Sequence, residues 1–76
     1  MQHRSICIIA REITTDWNPV HYTAAPYVRA MYELESINDV VMSDSARSIV
    51  RYFLLNASTW RGAVAREIKS ELRAML

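Results

Sequence analysis

Residues 43–76 read SDSARSIVRYFLLNASTWRGAVAREIKSELRAML, and they contain two helical periods that meet at Asn56-Ala57-Ser58. Before that break, apolar residues recur every three or four positions, as on one side of an α-helix: Ala46, Ile49, Val50, Phe53 and Leu54. Ser43 or Asp44 is a suitable N-cap for this helix. Asn56 tolerates the left-handed conformation that often ends a helix. The pattern predicts two helices joined by a short corner.

The second period begins at Trp60 and places four more apolar residues on the same side of a helix: Val64, Ile68, Leu72 and Met75. Three basic residues occupy the opposite side, and we call them the basic ridge: Arg66, Lys69 and Arg73. Arg61 departs from the pattern, since the same helical wheel places it within the apolar side. We expect it to lie over Trp60 or to reach a carboxylate of a neighbouring helix.

The first half of the chain is less regular. Residues 6–10, ICIIA, have strand propensity, but no second strand of comparable quality follows to pair with them. A helix is favoured, because Ile6, Ile9 and Ile13 share one face and Asn18-Pro19 supplies a stop. A second helix is predicted from about residue 23, with its proline in the first turn. The segment 40–42, VVM, is interpreted as a short apolar link.

These patterns predict an all-α fold, a compact bundle of about four short helices forming one domain over residues 1–76. The helices are expected at about residues 5–17, 23–36, 44–56 and 59–75. The expected core is Ile9, Ile13, Tyr27, Met31, Leu34, Ile49, Val50, Phe53, Val64, Ile68 and Leu72.

Composition narrows the class of protein. The chain is 51% hydrophobic with one Gly and two Pro, which argues against disorder. Its net charge of +1 gives little long-range attraction for a polyanion. The apolar run at residues 6–10 is too short for a signal peptide, no run is long enough to span a membrane, and Cys7 is the single cysteine. We therefore expect a cytoplasmic protein that does not enter a membrane.

No group of residues has the spacing of a catalytic, cofactor or metal site. His3 and His21 have no Cys, His or Asp partners at the spacing of zinc ligands. Glu33 and Glu35 point in different directions on a helix, so they do not form an acid–base pair. The sequence therefore favours a protein that is not an enzyme and that needs no cofactor or metal.

The favoured function is that of a small non-catalytic interaction or regulatory protein acting through protein–protein contacts. The partner is another protein or a second copy of the chain, as a homodimer. Ile8 is a candidate for this surface, because it is the one large apolar residue on the polar side of the first helix. Trp60 is a second candidate, since Trp and Tyr dominate the energetics of many interfaces.

The alternative is a helix-turn-helix-like nucleic-acid-binding protein that uses the basic face of its last helix. The candidate contacts are Arg61, Arg66, Lys69 and Arg73. Three features weaken this alternative: the turn contains no Gly, Glu67 and Glu71 would approach the phosphates, and the net charge is low.

Overall fold

The computed structural model describes residues 4–76. Within that range the chain forms four α-helices, which are α1 (Ile6–Asp16), α2 (Ala25–Met31), α3 (Ala46–Leu55) and α4 (Ala63–Met75). A short antiparallel hairpin lies between α2 and α3, with strands β1 (Val40–Val41) and β2 (Asp44–Ser45). The mostly α-helical fold predicted from the sequence is confirmed, and the Cα radius of gyration of 11.1 Å describes one globule.

Residues 6–10 are helical, so the interpretation of this segment as a helix is confirmed. The start of α1 has no side-chain cap. Instead, the N–H groups of Ile6 and Cys7 donate to the carbonyls of Glu35 and Leu34, at 3.1 and 2.8 Å. These carbonyls satisfy two of the N–H groups that a helix leaves free at its start. The loop after α2 therefore fixes where α1 begins.

The connection between α3 and α4 is longer than predicted. It spans residues 56–62, because α4 begins at Ala63 and not near residue 59. The left-handed region of backbone space is occupied by Gly62, with φ of 114°, whereas Asn56 has φ of −104°. The prediction of a three-residue corner is therefore wrong. Only glycine adopts such a conformation without a steric cost, and Gly62 places it directly before the first turn of α4.

The hairpin was missed by the sequence patterns, which treated residues 40–42 as a link. Met42 and Ser43 form its turn with φ of 49° and 75°, the positive values that a two-residue type I′ turn requires. The usual sequence for such a turn is Asn-Gly, so Met-Ser gave no signal. Ser45 ends β2 and caps α3, its Oγ accepting from the N–H of Ser48 at 3.2 Å. The expected cap at Ser43 or Asp44 is therefore wrong by one or two residues.

Most of the predicted core is buried at the centre of the four helices. The confirmed members are Ile9, Ile13, Met31, Leu34, Ile49, Val50, Phe53, Ile68 and Leu72. Tyr27 is only partly buried and packs against the edge of the core. Val64 is 38% exposed, and Ala65 is buried in its place. The reason is that Trp60 precedes α4, so a helical wheel that starts at Trp60 has the wrong rotation.

The helices pack as a chain of neighbours, with α2 between α1 and α3 and with α4 against α1. An ion-pair cluster joins the outer side of α1 to α4. Arg4 Nη1 lies 2.8 Å from Glu12 Oε1, and Arg4 Nη2 lies 2.7 Å from Glu71 Oε1. Hydrogen bonds to these two carboxylates raise the pKa of Arg4 further above its ordinary value. These ion pairs hold α4 on α1, and Arg47 of α3 donates to the carbonyl of Met75 in the last turn of α4 at 3.2 Å.

Candidate interaction surface

The basic ridge is only partly available to a ligand. Arg66 and Arg73 are exposed, but Lys69 is half-buried, and its Nζ donates to the backbone carbonyl of Trp60 at 2.6 Å. The same Nζ lies 6.0 Å from the centre of the Trp60 ring. Burial lowers the pKa of Lys69, and the charges of Arg73 and Arg61 lower it further. Lys69 therefore stabilises the start of α4, and Arg66 and Arg73 are the two cations of the ridge that have no ion-pair partner within residues 4–76.

Arg61 is not part of a helix, because α4 begins two residues later. It is exposed, and among residues 4–76 it has no ion-pair partner. The expectation that it lies in the apolar side of the last helix is therefore wrong. Its charge acts on Lys69, as does that of Arg73, so Arg61 and Arg73 each lie within electrostatic range of Lys69. Arg66 is exposed on the same helix.

Trp60 lies in the core, with 2% of its surface exposed, so its side chain is not available as a partner surface. Its ring stacks on Trp17 with centroids 5.6 Å apart and planes 6° apart, and Phe53 meets it edge-on at 6.3 Å. Its indole Nε1 donates to Asp16 Oδ2 at 2.8 Å. A buried tryptophan needs such an acceptor. The spacing of residues 16 and 60 in the sequence did not predict this hydrogen bond.

Ile8 is 48% exposed and, together with Val64, lines a cleft of about 540 Å³ between α1 and α4. The cleft also contains the ion-pair cluster of Arg4, Glu12 and Glu71. The position of Ile8 on the surface agrees with the sequence pattern. Its contact with a partner stays a prediction.

A second cleft, of about 500 Å³, lies between α2, α3 and the hairpin, and the sequence analysis did not predict it. Its apolar side chains form what we call the tyrosine face: Tyr27, Val41, Met42 and Tyr52. The rings of Tyr27 and Tyr52 stack with centroids 5.6 Å apart and planes 19° apart. Met42 is 91% exposed at the hairpin tip, and Tyr52 is 52% exposed.

Charged residues of both signs border the tyrosine face. Arg29 and Glu33 lie on its α2 side, and Asp44 lies on β2. Within residues 4–76, none of the three has an ion-pair or side-chain hydrogen-bond partner. In the cleft beside Ile8, by contrast, Arg4 is paired with two carboxylates. The tyrosine face thus combines an exposed apolar centre with unpaired charges at its edge.

One signal in the sequence pointed to this surface. Ser48, Tyr52 and Leu55 fall at helical spacing on the side of α3 that does not carry the buried residues, and two of these three are large. Met42 could not be placed there, because its position depends on the hairpin. Tyr27 was expected in the core. The surface is visible only when three separate segments are folded together.

The reactive side chains of Cys7 and His21 contact residues that are close to them in the sequence. The Sγ of Cys7 lies 3.0 Å from Ser5 Oγ, and His21 Nδ1 lies 2.8 Å from the hydroxyl of Thr23. In the part of the chain that the structure describes, no three His, Cys, Asp or Glu residues are close enough together to hold a metal ion. His3 lies outside the described residues.

None of the helices between residues 4 and 76 combines the length and the apolar character needed to cross a membrane. Comparison of the chain with protein-family models, with curated proteins and with solved structures found no match. The function is therefore inferred from the chain's own surface.

Proposed function

We propose that this chain is a small non-catalytic helical protein that acts through protein–protein contacts, and that the tyrosine face makes the contact. The observation that supports this most directly is the grouping of exposed apolar side chains around one cleft, with Met42 91% and Tyr52 52% exposed. Single exposed apolar residues are ordinary on protein surfaces. A grouped set around a concave surface is typical of a binding site.

The residue types suit a protein partner. Tyrosine presents a large rigid apolar ring at low entropy cost, and methionine adapts its shape to the surface that it meets. Both residue types are enriched at the centres of protein interfaces. Tyr27 and Tyr52 already stack on each other, so the ring positions are fixed before a partner arrives.

The backbone of the hairpin tip also supports the proposal. A residue other than glycine in the left-handed region costs about 1–2 kcal/mol, and both Met42 and Ser43 have positive φ. Met42 gains little packing within the chain in return, since it is 91% exposed. Backbone strain of this kind is concentrated at functional positions.

Nucleic-acid binding is the weaker alternative. Lys69 is directed towards the carbonyl of Trp60, so that Arg66 and Arg73 are the cations of the basic ridge that lack a partner in the described part of the chain. The connection of residues 56–62 is also longer than the turn of a helix-turn-helix, which has about three or four residues. With a single cysteine, Cys7, the proposal includes a cytoplasmic setting.

Site-specific photo-crosslinking in cells tests the proposal. A photoreactive phenylalanine derivative is placed at Tyr52, at Arg66 on the basic ridge, and at Ser70, an exposed control position on α4. We expect protein adducts from position 52, resistant to nuclease and digested by protease, with little or no adduct from position 70. Nuclease-sensitive adducts from position 66 alone would favour the nucleic-acid alternative, and equal labelling at all three positions would reject a specific surface.

A further inference from the structure

We infer that the tyrosine face binds a second copy of this chain, in a two-fold symmetric contact with an apolar centre and ion pairs at its edge. This inference rests on the proposed function, because it names the partner of that same surface. A two-fold contact places one patch against itself, so that a residue i facing j is matched by j facing i. The patch must therefore be complementary to itself in shape and in charge.

The charges at the edge meet this requirement. Arg29 supplies a cation, and Glu33 and Asp44 supply carboxylates around the same cleft. None is paired within the described chain. In a two-fold contact, Arg29 of each copy meets a carboxylate of the other, so that each pair forms twice. A partner whose charges were all of one sign would instead repel the residues of the same sign at this edge.

The apolar centre also matches itself. Met42 projects from the hairpin beside a cleft of about 500 Å³, so each copy offers both a protruding side chain and a depression. Reciprocal insertion of the two methionines covers Tyr27 and Tyr52 on both copies. The contact removes from water the exposed apolar groups of the tyrosine face.

The small size of the molecule means that a two-fold contact would add substantially to the surface that it buries. A standard interface buries about 800 Å² on each partner. The isolated chain exposes 4939 Å², so a standard interface would cover about a sixth of it. A chain of 76 residues buries a smaller fraction of its surface than a larger domain does, and association adds to that burial.

The cleft beside Ile8 is less suited to this role. Its Arg4 is already paired with Glu12 and Glu71. Breaking or covering those pairs would cost desolvation energy without adding a new partner. Ile8 is nevertheless about as exposed as Tyr52, 48% against 52%, and this makes it a matched control position.

Sedimentation of the full chain over a wide concentration range is the first measurement. The mass should rise from 8.8 kDa towards twice that value as concentration increases. Tyr52→Glu, and separately Met42→Glu at the exposed tip, should weaken association at least tenfold. Ile8→Glu, the same substitution on the other cleft, should leave it unchanged. Far-UV circular dichroism checks that each variant keeps its helices.

Charge reversal then tests the symmetry of the contact. Arg29→Glu alone should weaken association, since the substituted side chain of each copy would then face a carboxylate of the other copy. Glu33→Arg or Asp44→Arg is then added to Arg29→Glu. Association should be restored in the double variant whose second change replaces the carboxylate that faces Arg29. Restoration by neither would overturn the paired edge. Because these residues are unpaired within the residues that the structure describes, a change in folding does not account for a rescue of association.

The outcomes separate the two proposals. If the wild-type chain stays monomeric at the highest concentration, the inference of self-association fails. Crosslinks from Tyr52 to a different protein would then still support the proposed function. If Ile8→Glu abolishes the dimer and Tyr52→Glu does not, the interface lies between α1 and α4, and the inference that the tyrosine face binds a second copy is rejected. Absence of protein adducts from position 52 would then reject the proposed function as well.

Discussion

Replacing Phe53 by alanine should remove much of the stability of this fold. Phe53 is fully buried on α3 and is the largest of the fully buried side chains. The rings of Trp17 and Trp60 meet it edge-on, with centroids 6.5 and 6.3 Å away. Deleting a buried phenylalanine ring costs about 3–5 kcal/mol, because apolar transfer energy is lost and a cavity remains. Domains of this size have total stabilities of about 4–11 kcal/mol. The variant should therefore be marginally folded.

Urea denaturation followed by tryptophan fluorescence and circular dichroism measures the loss. Leu55→Ala on the same helix is the matched control, since Leu55 is well exposed and its truncation should change stability by less than about 0.5 kcal/mol. If Phe53→Ala does not fold, Phe53→Leu keeps most of the volume and should cost about 1–2 kcal/mol. A loss below about 1 kcal/mol for Phe53→Ala, with an unchanged denaturant slope, would refute the packing described for α3.

Three further predictions follow from single contacts. Asp16→Ala should lower the free energy of unfolding by about 1–3 kcal/mol in urea melts, because the Trp60 indole loses its acceptor, whereas Asp16→Asn should cost less. Arg73→Gln should raise the pKa of Lys69, seen by NMR titration of its side-chain carbon; no change would show that the charge of Arg73 does not help to lower it. Ser43→Gly should raise the thermal midpoint, since glycine relieves about 1–2 kcal/mol of strain at positive φ and loses up to about 1 kcal/mol in chain entropy. A lower midpoint would contradict the turn conformation.

The pH dependence expected from Lys69 has a definite sign. The folded state holds the pKa of Lys69 below its ordinary value, so the unfolded chain binds more protons in the interval between the two values. Stability should therefore rise as pH increases through that interval. The effect is small, because the side chain is only half-buried and water screens the neighbouring charges.

Apolar periodicity was enough to predict the helices and most of the core. Ile49, Val50 and Phe53 repeat at helical spacing and are buried as expected. The period also favoured a helix for residues 6–10 over their strand propensity, since the sequence shows no second strand of comparable quality, and these residues are helical. These predictions succeeded because burial of one face is determined locally by the spacing of apolar residues.

The hairpin and the start of α4 depend on backbone conformation, which periodicity does not report. Gly62 carried the relevant signal, being the single glycine of the chain, but the helical wheel was extended across it to Trp60. Val64 was in consequence assigned to the core. The turn at Met42 and Ser43 had no signal at all, because neither residue favours positive φ. The tyrosine face was missed for the same reason, since it includes the hairpin tip.

The position of Trp60 explains which charges remain for a partner. Its indole donates to Asp16, its carbonyl accepts from Lys69, and its ring contacts those of Trp17 and Phe53. The connection before α4 is therefore fixed to both α1 and α4 by side chains that the sequence presents as ordinary surface charges.

The two clefts differ in whether their charged side chains are already paired within the fold. Beside Ile8, the guanidinium of Arg4 is engaged by two carboxylates and contributes to the packing of α4 on α1. Around the tyrosine face, Arg29 and Asp44 have no such structural task within the described chain. An ion pair within the fold resists the loss of its partner, whereas an unpaired charge gains one when a complementary surface arrives. The tyrosine face is thus the surface at which association satisfies charges without first breaking contacts that hold the helices together.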